Sequence, residues 1–456
     1  MAKAAQIFRC AECGWTTSKW VGRCGECQAW GSVDGSAAPR AGSTSARQVS
    51  QSAQPIGAVG LEVARSRPTG VDEFDRALGG GLVQGAVILL AGEPGVGKST
   101  LLLEVTARWA LDAGRALYVT GEESTAQVRL RAERTGALAD HLYLAAETDL
   151  SAVLGHIEEV KPSLLVLDSV QTVSSPTVDG AAGGVTQVRE VAAALIRTAK
   201  ERGIATILVG HVTKDGSIAG PRVLEHLVDV VLQFEGDRHS RLRMVRTVKN
   251  RYGPADEVGC FDLSDAGITS MADPTGLFLS RHAAPVPGTC ITVTLEGRRP
   301  LLGEIQALVA SSALATPRRA NSGLDSARVA MVLAVLERRG RVRLSNRDVY
   351  TSTVGGAKLA EPAADLALML AVASAAEARP VPAGVVALGE VGLAGEIRRV
   401  TGLQRRLAEA ERMGFTTALI PPDPGPVPAG IRTVEVADVG FALAAMSAPA
   451  AVVPSI

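Results

Sequence analysis

Short apolar runs alternate with helical patterns between residues 55 and 273. Residues 87–91, Val-Ile-Leu-Leu-Ala, have the composition of a buried strand, and residues 99–113 follow a helical period. Further strands are predicted at residues 117–120, 164–168 and 205–210. Strands separated by helices indicate a parallel sheet, with the functional site at the carboxyl ends of its strands.

The first of these strands leads into a glycine-rich loop. Residues 92–99 read Gly-Glu-Pro-Gly-Val-Gly-Lys-Ser and match the phosphate-binding pattern G-x-x-x-x-G-K-[ST] at every fixed position. The glycines let backbone N–H groups turn toward phosphate oxygens, Lys98 adds a positive charge, and the Ser99 hydroxyl can bind Mg²⁺. We therefore predict an ATP site formed by Gly92, Glu93, Pro94, Gly95, Val96, Gly97, Lys98, Ser99 and Thr100.

Polar residues stand at the ends of the next predicted strands. Asp168 follows four large apolar residues, as expected of a carboxylate that holds Mg²⁺. Glu122 or Glu123 could orient the attacking water as general base, with Glu122 preferred, or both could simply favour a helix N-terminus. His211 could sense the γ-phosphate or be an ordinary strand-end histidine. This set of residues predicts an ATP hydrolase.

Four of the six cysteines lie close together near the N-terminus: Cys10, Cys13, Cys24 and Cys27. Two C-x₂-C pairs separated by ten residues can bring four thiolates to one tetrahedral Zn²⁺. The alternatives are two disulfides, or a redox pair, which needs a thioredoxin-like setting that the neighbouring sequence lacks. Since four cysteines leave no open coordination position, the metal is expected to be structural.

Three tryptophans surround these cysteines: Trp15, Trp20 and Trp30. They are expected to cover the small core, although they could instead offer a stacking face to a base or a partner. Residues 32–54 follow, rich in Ser, Ala, Gly and Gln, and are expected to form a flexible tether.

The overall composition narrows the class of protein. The 456 residues allow two to four domains, and with 46% hydrophobic but 3% aromatic residues the cores must consist of Ala, Val and Leu. The net charge is zero, so binding to nucleic acid would require local patches. The N-terminus lacks an apolar signal core, and residues 366–376, the longest apolar stretch, are too short to span a bilayer. We expect a cytoplasmic protein without membrane contact.

Motifs on both sides of the phosphate loop resemble those of a known family. Residues 70–75, Gly-Val-Asp-Glu-Phe-Asp, and 78–82, Leu-Gly-Gly-Gly-Leu, are similar to the RecA/DnaB superfamily of ring- and filament-forming ATPases. Residues 249–253, Lys-Asn-Arg-Tyr-Gly, resemble the K-N-R-F-G motif of the bacterial RadA (Sms) family of DNA-repair proteins, with Tyr for Phe. Together with the four cysteines and the phosphate loop, in this order, the resemblance spans essentially the whole chain.

The resemblance implies a hexameric, ATP-driven motor on single-stranded DNA that promotes branch migration of recombination intermediates. It makes branched DNA a substrate and the RecA recombinase a partner to consider. It also implies that Lys249 and Arg251, within the motif of Lys249, Asn250, Arg251, Tyr252 and Gly253, reach the γ-phosphate on a neighbouring subunit. A cation supplied in trans can stabilise the charge that develops in phosphoryl transfer. Taken alone, Lys-x-Arg on a polar turn would more often be solvated surface.

Two glycine-rich loops should face the DNA in such a ring. They are residues 174–187 and residues 213–222, the second of which carries Lys214 and Arg222. Such loops beside basic residues can follow a sugar–phosphate backbone, or they can be simple flexible connections. Neither contains an aromatic residue for base stacking, so sequence specificity is not expected.

The C-terminal region resembles a protease domain without its catalytic pair. Strands are predicted at residues 291–295 and 303–309, and an amphipathic helix at 325–339. Residues 361–365 and 389–404 resemble the Lon protease domain, whose serine and lysine correspond here to Ala363 and Gln404. Without a hydroxyl or an amine, acyl transfer is not available. The fold is therefore expected to be kept and the protease activity lost.

Positive charge is concentrated in one part of this region. Residues 298–347 contain ten arginines against three carboxylates, a net +7 in a neutral chain. A phosphate-binding surface or a solvated or subunit-interface face could account for it, and the candidate DNA contacts are Arg298, Arg299, Arg318 and Arg319.

The sequence thus predicts an α/β protein in four parts. These are a four-cysteine zinc module (1–31), a linker (32–54), a RecA-like ATPase domain with a parallel sheet (55–273) and a Lon-protease-like α+β domain (274–456). The favoured function is a DNA-dependent ATPase that uses ATP, Mg²⁺ and Zn²⁺. The alternatives are a nucleotide-switched scaffold for repair proteins and, against the evidence of Ala363 and Gln404, an ATP-dependent protease.

Overall fold

The computed structural model describes residues 8–34, 54–58, 60, 65–112, 114–211, 221–236, 241–280 and 284–447. The chain divides into two compact units, Met1–Gly60 and Leu61–Ile456. In the described ranges, every helix is too short or too polar to cross a membrane.

The first unit is built around a very small core. Its strands β1 (Phe8–Cys10), β2 (Thr16–Thr17) and β3 (Val33–Asp34) form an antiparallel sheet in the order β2-β1-β3. The buried residues of this core are Cys10, Cys24 and Val33. So little apolar surface cannot stabilise a fold alone, which is why such modules depend on a metal.

The second unit begins with a large mixed sheet and its covering helices. The chain forms β4 (Ser66–Arg67), α1 (Asp72–Leu78), β5 (Leu82–Val83), β6 (Val87–Gly92), α2 (Lys98–Asp112), β7 (Ala116–Thr120), α3 (Thr125–Thr135), β8 (Leu142–Ala146), α4 (Leu150–Val160), β9 (Leu164–Asp168), α5 (Val185–Arg202), β10 (Ala205–His211), α6 (Pro221–Glu225), β11 (Val230–Gly236), β12 (Leu242–Asn250), β13 (Val258–Ser264) and β14 (Gly267–Ser270).

Among the described residues of this region, nine strands join in the order β14-β13-β12-β11-β6-β10-β9-β7-β8. From β11 to β8 all neighbours are parallel, as predicted, and β12, β13 and β14 extend the sheet antiparallel. The sequence-based prediction of a parallel sheet at residues 87–91, 117–120, 164–168 and 205–210 is confirmed. The antiparallel extension was not predicted.

The central parallel strands β6, β7, β9 and β10 are buried on both faces. Along β6, Ile88 and Leu90 pack into the core under α2, whereas Val87 and Leu89 pack into the core under α4 and α5. Because side chains alternate across a strand, a strand covered on both faces must be apolar throughout. This explains the uninterrupted run of large apolar residues that leads into the phosphate loop.

The C-terminal region forms a second sheet with its own cores. Its elements are α7 (Thr275–Phe278), β15 (Thr289–Glu296), β16 (Arg299–Ser311), β17 (Arg319–Ser322), α8 (Ser326–Arg338), β18 (Arg347–Thr353), α9 (Asp365–Glu377), β19 (Val385–Ala387), β20 (Glu390–Val391), β21 (Ile397–Arg398), α10 (Leu403–Arg412), β22 (Thr417–Ile420), β23 (Arg432–Glu435) and α11 (Val439–Ser447). The described strands of the larger sheet follow the order β17-β18-β16-β15-β19-β22-β23. The helix and two strands predicted here are confirmed.

Candidate functional site

The phosphate loop connects the end of β6 to the start of α2. Gly95 and Gly97 have φ angles of +79° and +111°, which residues other than glycine rarely adopt. At Gly92 a Cβ atom would press on the carbonyl oxygen of Phe234 in β11. The neighbouring strand β12 also supports the loop, because Arg243 Nε donates to the carbonyl oxygen of Val96 at 2.8 Å. The loop is thus shaped by its glycines and fixed from the side.

Lys98 is buried at the first position of α2. Its Nζ donates to the carbonyl oxygens of Gly92 and Glu93, at 2.9 and 2.8 Å. Burial lowers the pKa of Lys98 to about 8, although the negative charges of Asp168 and Glu122 oppose this shift. The ammonium group therefore lies within the loop, close to two carboxylates of the site.

Asp168 ends β9 and is buried, and its charge acts on Lys98 of the phosphate loop. The hydroxyl of Tyr118 in β7 donates to its Oδ2 at 2.7 Å. Burial raises the pKa of Tyr118 well above its usual value, so this hydroxyl remains a donor. A buried carboxylate held from one side, whose charge acts on Lys98 next to Ser99 in sequence, supplies the kind of oxygen ligand that Mg²⁺ prefers.

Glu122 follows β7 and meets two hydrogen-bond donors. Ser169 Oγ donates to its Oε1 at 2.7 Å, and His211 Nε2 lies 2.7 Å from the same oxygen. Burial would raise the pKa of Glu122, but the hydrogen bonds from Ser169 and His211 and the charge of Lys98 hold it below its usual value. Glu122 is thus an ionised carboxylate at the carboxyl edge of the sheet.

The neighbouring carboxylate has a different role. Glu123 forms an ion pair with Arg131 of α3. The N-terminus of α3 is capped by Ser124, whose side chain accepts from the backbone N–H of Gln127. Glu123 is therefore committed to stabilising α3, which favours Glu122 as the group that orients water.

The Lys249–Gly253 turn lies at the amino ends of the parallel strands, and the phosphate loop lies at their carboxyl ends. Asn250 pairs with Val230 at the start of β11, and Val230 in turn is level with Ile88 near the start of β6. The phosphate loop follows the other end of β6, at Gly92, about 13 Å further along the strand. Lys249 and Arg251 therefore cannot act on the phosphate loop of their own chain.

Local contacts hold this turn in place. Lys249 Nζ donates to the carbonyl oxygens of Glu225 and Val228, at 2.7 and 2.8 Å. Arg251 is half exposed and pairs with the buried carboxylate of Asp229 at 3.3 Å. Burial raises the pKa of Asp229, but Lys200, the Val87 N–H and Arg251 together hold it below its usual value. Sequence reasoning missed Asp229, because an acidic residue just before an apolar strand carries no signal of its own.

The four predicted metal ligands come together. Their sulfur atoms all lie within 4.8 Å of one another, with Cys10 and Cys27 at 3.6 Å and Cys13 and Cys24 at 3.5 Å. Thiolates at Zn–S distances of about 2.3 Å around one tetrahedral ion have such separations, so the set fits Zn²⁺.

The expectation that all three tryptophans cover this core is wrong for two of them. Trp15 packs against the core, whereas Trp20 and Trp30 are 64% and 77% exposed. The guanidinium of Arg23 lies over the Trp30 ring, 5.6 Å from its centre. This unit thus presents two aromatic side chains to its surroundings.

The residues predicted to contact DNA differ in how exposed they are. Arg299 is only 6% exposed and pairs with Glu73 of α1, so the expectation that it contacts DNA is wrong. Arg298 and Arg318 are exposed, while the guanidinium of Arg319 donates to the carbonyl oxygen of Leu344 at 2.7 Å. Lys214 lies outside the described residues, and only the backbone of Arg222, in α6, is described.

The loop predicted at residues 174–187 is shorter than expected. Its last residues belong to α5, and Gln187 is buried. The Gln187 amide accepts from the Ser175 N–H at 2.8 Å and donates to the carbonyl oxygen of Val178 at 2.7 Å. A single side chain therefore organises this loop at the carboxyl edge of the sheet.

The C-terminal region lacks nucleophile and base at the predicted positions. Ala363 is buried in the turn Pro362–Ala364 that precedes α9. Gln404 lies in α10, and its Nε2 donates to the carbonyl oxygen of Pro424 at 2.8 Å.

Family models match three segments of the chain. A rubredoxin metal binding domain matches residues 8–34, an AAA domain matches residues 66–217, and the Lon protease (S16) C-terminal proteolytic domain matches residues 327–428. Fold and site together define a P-loop protein with a RecA-like ATPase core, a four-cysteine ribbon and a Lon-like domain, which confirms the predicted fold class.

Curated relatives match the chain over nearly its full length. DNA repair protein RadA of Mycolicibacterium smegmatis is 57% identical and that of Pseudomonas aeruginosa 46%; each match covers 98% of this chain, and 97% and 100% of the respective relative. Among solved structures, the KaiC-like protein PH0186 of Pyrococcus horikoshii covers 45% of this chain and 99% of its own, with 21% identity and a TM-score of 0.38. The chain belongs to the bacterial RadA family, as the resemblance at residues 249–253 had indicated.

Proposed function

We propose that this protein is a DNA-dependent ATPase of recombinational DNA repair, acting as a hexameric ring on single-stranded DNA to promote branch migration. The observation that carries the proposal is the position of the Lys249–Gly253 turn at the sheet edge opposite its own phosphate loop. A complete site then needs a second copy, and a head-to-tail contact whose rotation closes gives a ring. The relatives' name, DNA repair protein RadA, gives the biological setting.

The residues of one chain supply most of the hydrolytic site. Glu122, kept ionised by its hydrogen bonds, orients the attacking water toward the γ-phosphate of ATP. Lys98 and the loop N–H groups bind the phosphates. Ser99 and Asp168 would hold Mg²⁺, which neutralises charge on the phosphate oxygens when bound.

The neighbouring chain completes the site. Lys249 and Arg251 would place two cations beside the γ-phosphate, where negative charge develops during transfer. Arg251 is half exposed, and its buried partner Asp229 also pairs with Lys200, so Asp229 keeps a cation when Arg251 turns to a phosphate. A cation supplied in this way raises the rate of hydrolysis by about 10³- to 10⁵-fold.

DNA would follow exposed basic groups and the loops at the ring centre. Besides the candidates Arg298, Arg318, Arg319, Lys214 and Arg222, four arginines at the end of α8 and just beyond it are exposed: Arg338, Arg339, Arg341 and Arg343. None of these four pairs with a carboxylate of a described residue, so their charge is available for phosphates.

The four parts predicted from the sequence would divide this work. Residues 1–31 would carry Zn²⁺, 32–54 would tether them, 55–273 would be the motor, and 274–456 would bind DNA without proteolysis, because Ala363 and Gln404 provide neither nucleophile nor base. The protein would act in the cytoplasm, with the RecA recombinase as a partner to test.

The decisive experiment measures ATP hydrolysis with and without single-stranded DNA. Wild type, Lys98→Ala and Arg251→Ala are assayed alone and as an equimolar mixture of the two variants. We expect DNA to stimulate the wild type, each variant to be inactive, and the mixture to recover activity, since some junctions then join an intact phosphate loop to an intact Arg251.

Other results point elsewhere. A mixture as inactive as its components would refute the site shared between subunits. A wild-type rate that no DNA changes would instead favour a nucleotide-switched scaffold for repair proteins.

A further inference from the structure

The turn between β15 and β16 of the C-terminal region rests on the loop that follows the Lys249–Gly253 turn. The Arg298 N–H donates to the carbonyl oxygen of Asp256 at 2.7 Å, and Arg298 Nε lies 3.6 Å from Glu257. Gly297 has a φ of +61°, and a Cβ atom there would overlap the Asp256 carbonyl oxygen. Backbone thus packs directly on backbone at this contact.

Arg299, the next residue, is buried in the ATPase region. Its guanidinium pairs with Glu73 of α1 and donates to the carbonyl oxygens of Val258 and Ala272, at 3.2 and 2.6 Å. Glu73 also accepts from the Cys260 N–H in β13 at 2.8 Å. One side chain of the C-terminal region therefore joins α1 to β13.

The other end of α1 holds the turn that carries the two cations. Asn250 Nδ2 donates to the carbonyl oxygen of Leu78 at 3.0 Å, and its Oδ1 accepts from the Tyr252 N–H at 2.9 Å. The Thr247 hydroxyl donates to the carbonyl oxygen of Ala77. Helix α1 thus connects Arg299 at its first turn with Asn250 at its last.

We propose that Arg299 is a positioning residue for Lys249 and Arg251. It fixes α1 and the β12–β13 loop, and these fix the turn that offers the cations to the neighbouring subunit. The proposal rests on the shared site proposed above. Through this contact, whatever the C-terminal region binds can alter turnover in the next subunit without touching its nucleotide.

The competing explanation is that Arg299 only stabilises the fold and has no effect on the position of Lys249 and Arg251. Removing one partner of a buried ion pair destabilises a fold whatever its neighbours do. The C-terminal region offers a matched control in Arg406, a buried arginine that pairs with Glu361 and donates to the carbonyl oxygen of Val293 at 2.6 Å. Arg406→Gln should lose stability without displacing the turn.

The test compares Arg299→Gln, the milder Arg299→Lys, and Arg406→Gln in the full chain, per mole of folded protein. For Arg299→Gln we expect kcat to fall about 10- to 100-fold while KM for ATP is unchanged, because a small misplacement of a catalytic group is that costly. Arg299→Lys should fall less, and Arg406→Gln should keep the wild-type kcat.

Mixing distinguishes positioning from damage to the variant's own site. Arg299→Gln keeps its phosphate loop, so it should regain activity beside Lys98→Ala subunits, approaching about a quarter of the wild-type rate in randomly mixed rings. The proposal is overturned if Arg299→Gln fails to complement Lys98→Ala while Arg251→Ala does complement it. It is also overturned if Arg299→Gln and Arg406→Gln lose kcat equally. If Arg251→Ala also fails to complement Lys98→Ala, the shared site itself is refuted.

Discussion

Lys98 is a buried ammonium group whose charge state follows pH near neutrality. With its pKa lowered to about 8, the group is protonated below that value and increasingly neutral above it. A bound triphosphate stabilises the protonated form, so binding above pH 8 must take up a proton. We expect the affinity for ATP to fall as pH rises past about 8, by up to about tenfold per pH unit.

Calorimetry checks this expectation directly. Titrations of ATP analogue in buffers of different ionisation enthalpy give the number of protons taken up. Uptake should be near zero at pH 7 and rise at pH 9, and Lys98→Arg, which stays charged, should show none. Equal uptake at both pH values would contradict the buried, shifted lysine.

Tyr118 stabilises the carboxylate that would hold Mg²⁺. Its hydroxyl is the donor to Asp168 Oδ2, so Tyr118→Phe leaves that oxygen without its partner and less well oriented. We expect the Mg²⁺ concentration that gives half-maximal ATP hydrolysis to rise about 10- to 100-fold. Tyr143→Phe is the control, because the exposed Tyr143 hydroxyl makes no hydrogen bond to a described residue. A similar Mg²⁺ requirement in both variants would rule out this role.

Helix α1 lies so close to β13 that only glycine fits between them. A Cβ atom at Gly259 would overlap the Glu73 carbonyl oxygen, so Gly259→Ala must push α1 outward. We expect a loss of about 1 to 3 kcal/mol in the free energy of unfolding, measured in urea. Gly276→Ala in α7 meets no atom within 4 Å and should be neutral or slightly stabilising. Equal stability of the two variants would show that α1 yields freely.

Elements with a strong local pattern could be predicted from the sequence, and elements defined by distant partners could not. The strand β6 and helix α2 follow from an apolar run and a loop motif, and both were found. The strands β12 to β14 carry mixed polar and apolar residues, because β12 and β13 also hold contacts such as Arg243 to the phosphate loop. Arg299 shows the same limit: its charge suggested DNA, yet its partner Glu73 lies 226 residues away in sequence.

At the scale of the whole molecule, the two edges of the large sheet have opposite roles. The carboxyl edge gathers the phosphate loop, Glu122 and Asp168, while the other edge presents Lys249 and Arg251. Under the proposed function, Lys249 and Arg251 exchange their contacts with Glu225, Val228 and Asp229 for the phosphate bound by a neighbouring chain. A head-to-tail association of copies would bring these two regions together, which is the geometric basis of the proposed ring.

The division into two compact units gives the last prediction. The first unit has almost no apolar core, so Zn²⁺ bound by Cys10, Cys13, Cys24 and Cys27 must supply most of its stability. Chelation, or Cys13→Ser, should release about one Zn²⁺ per chain and abolish the protection of amides 8–34 in hydrogen exchange. The amides of β6 and α2 should keep their protection, because they belong to the other unit.

Cys290→Ala, which removes a buried cysteine distant in sequence from the metal site, should keep the zinc. Protection of residues 8–34 without metal would show that the small core suffices, and loss of protection in β6 would show that the metal supports both units.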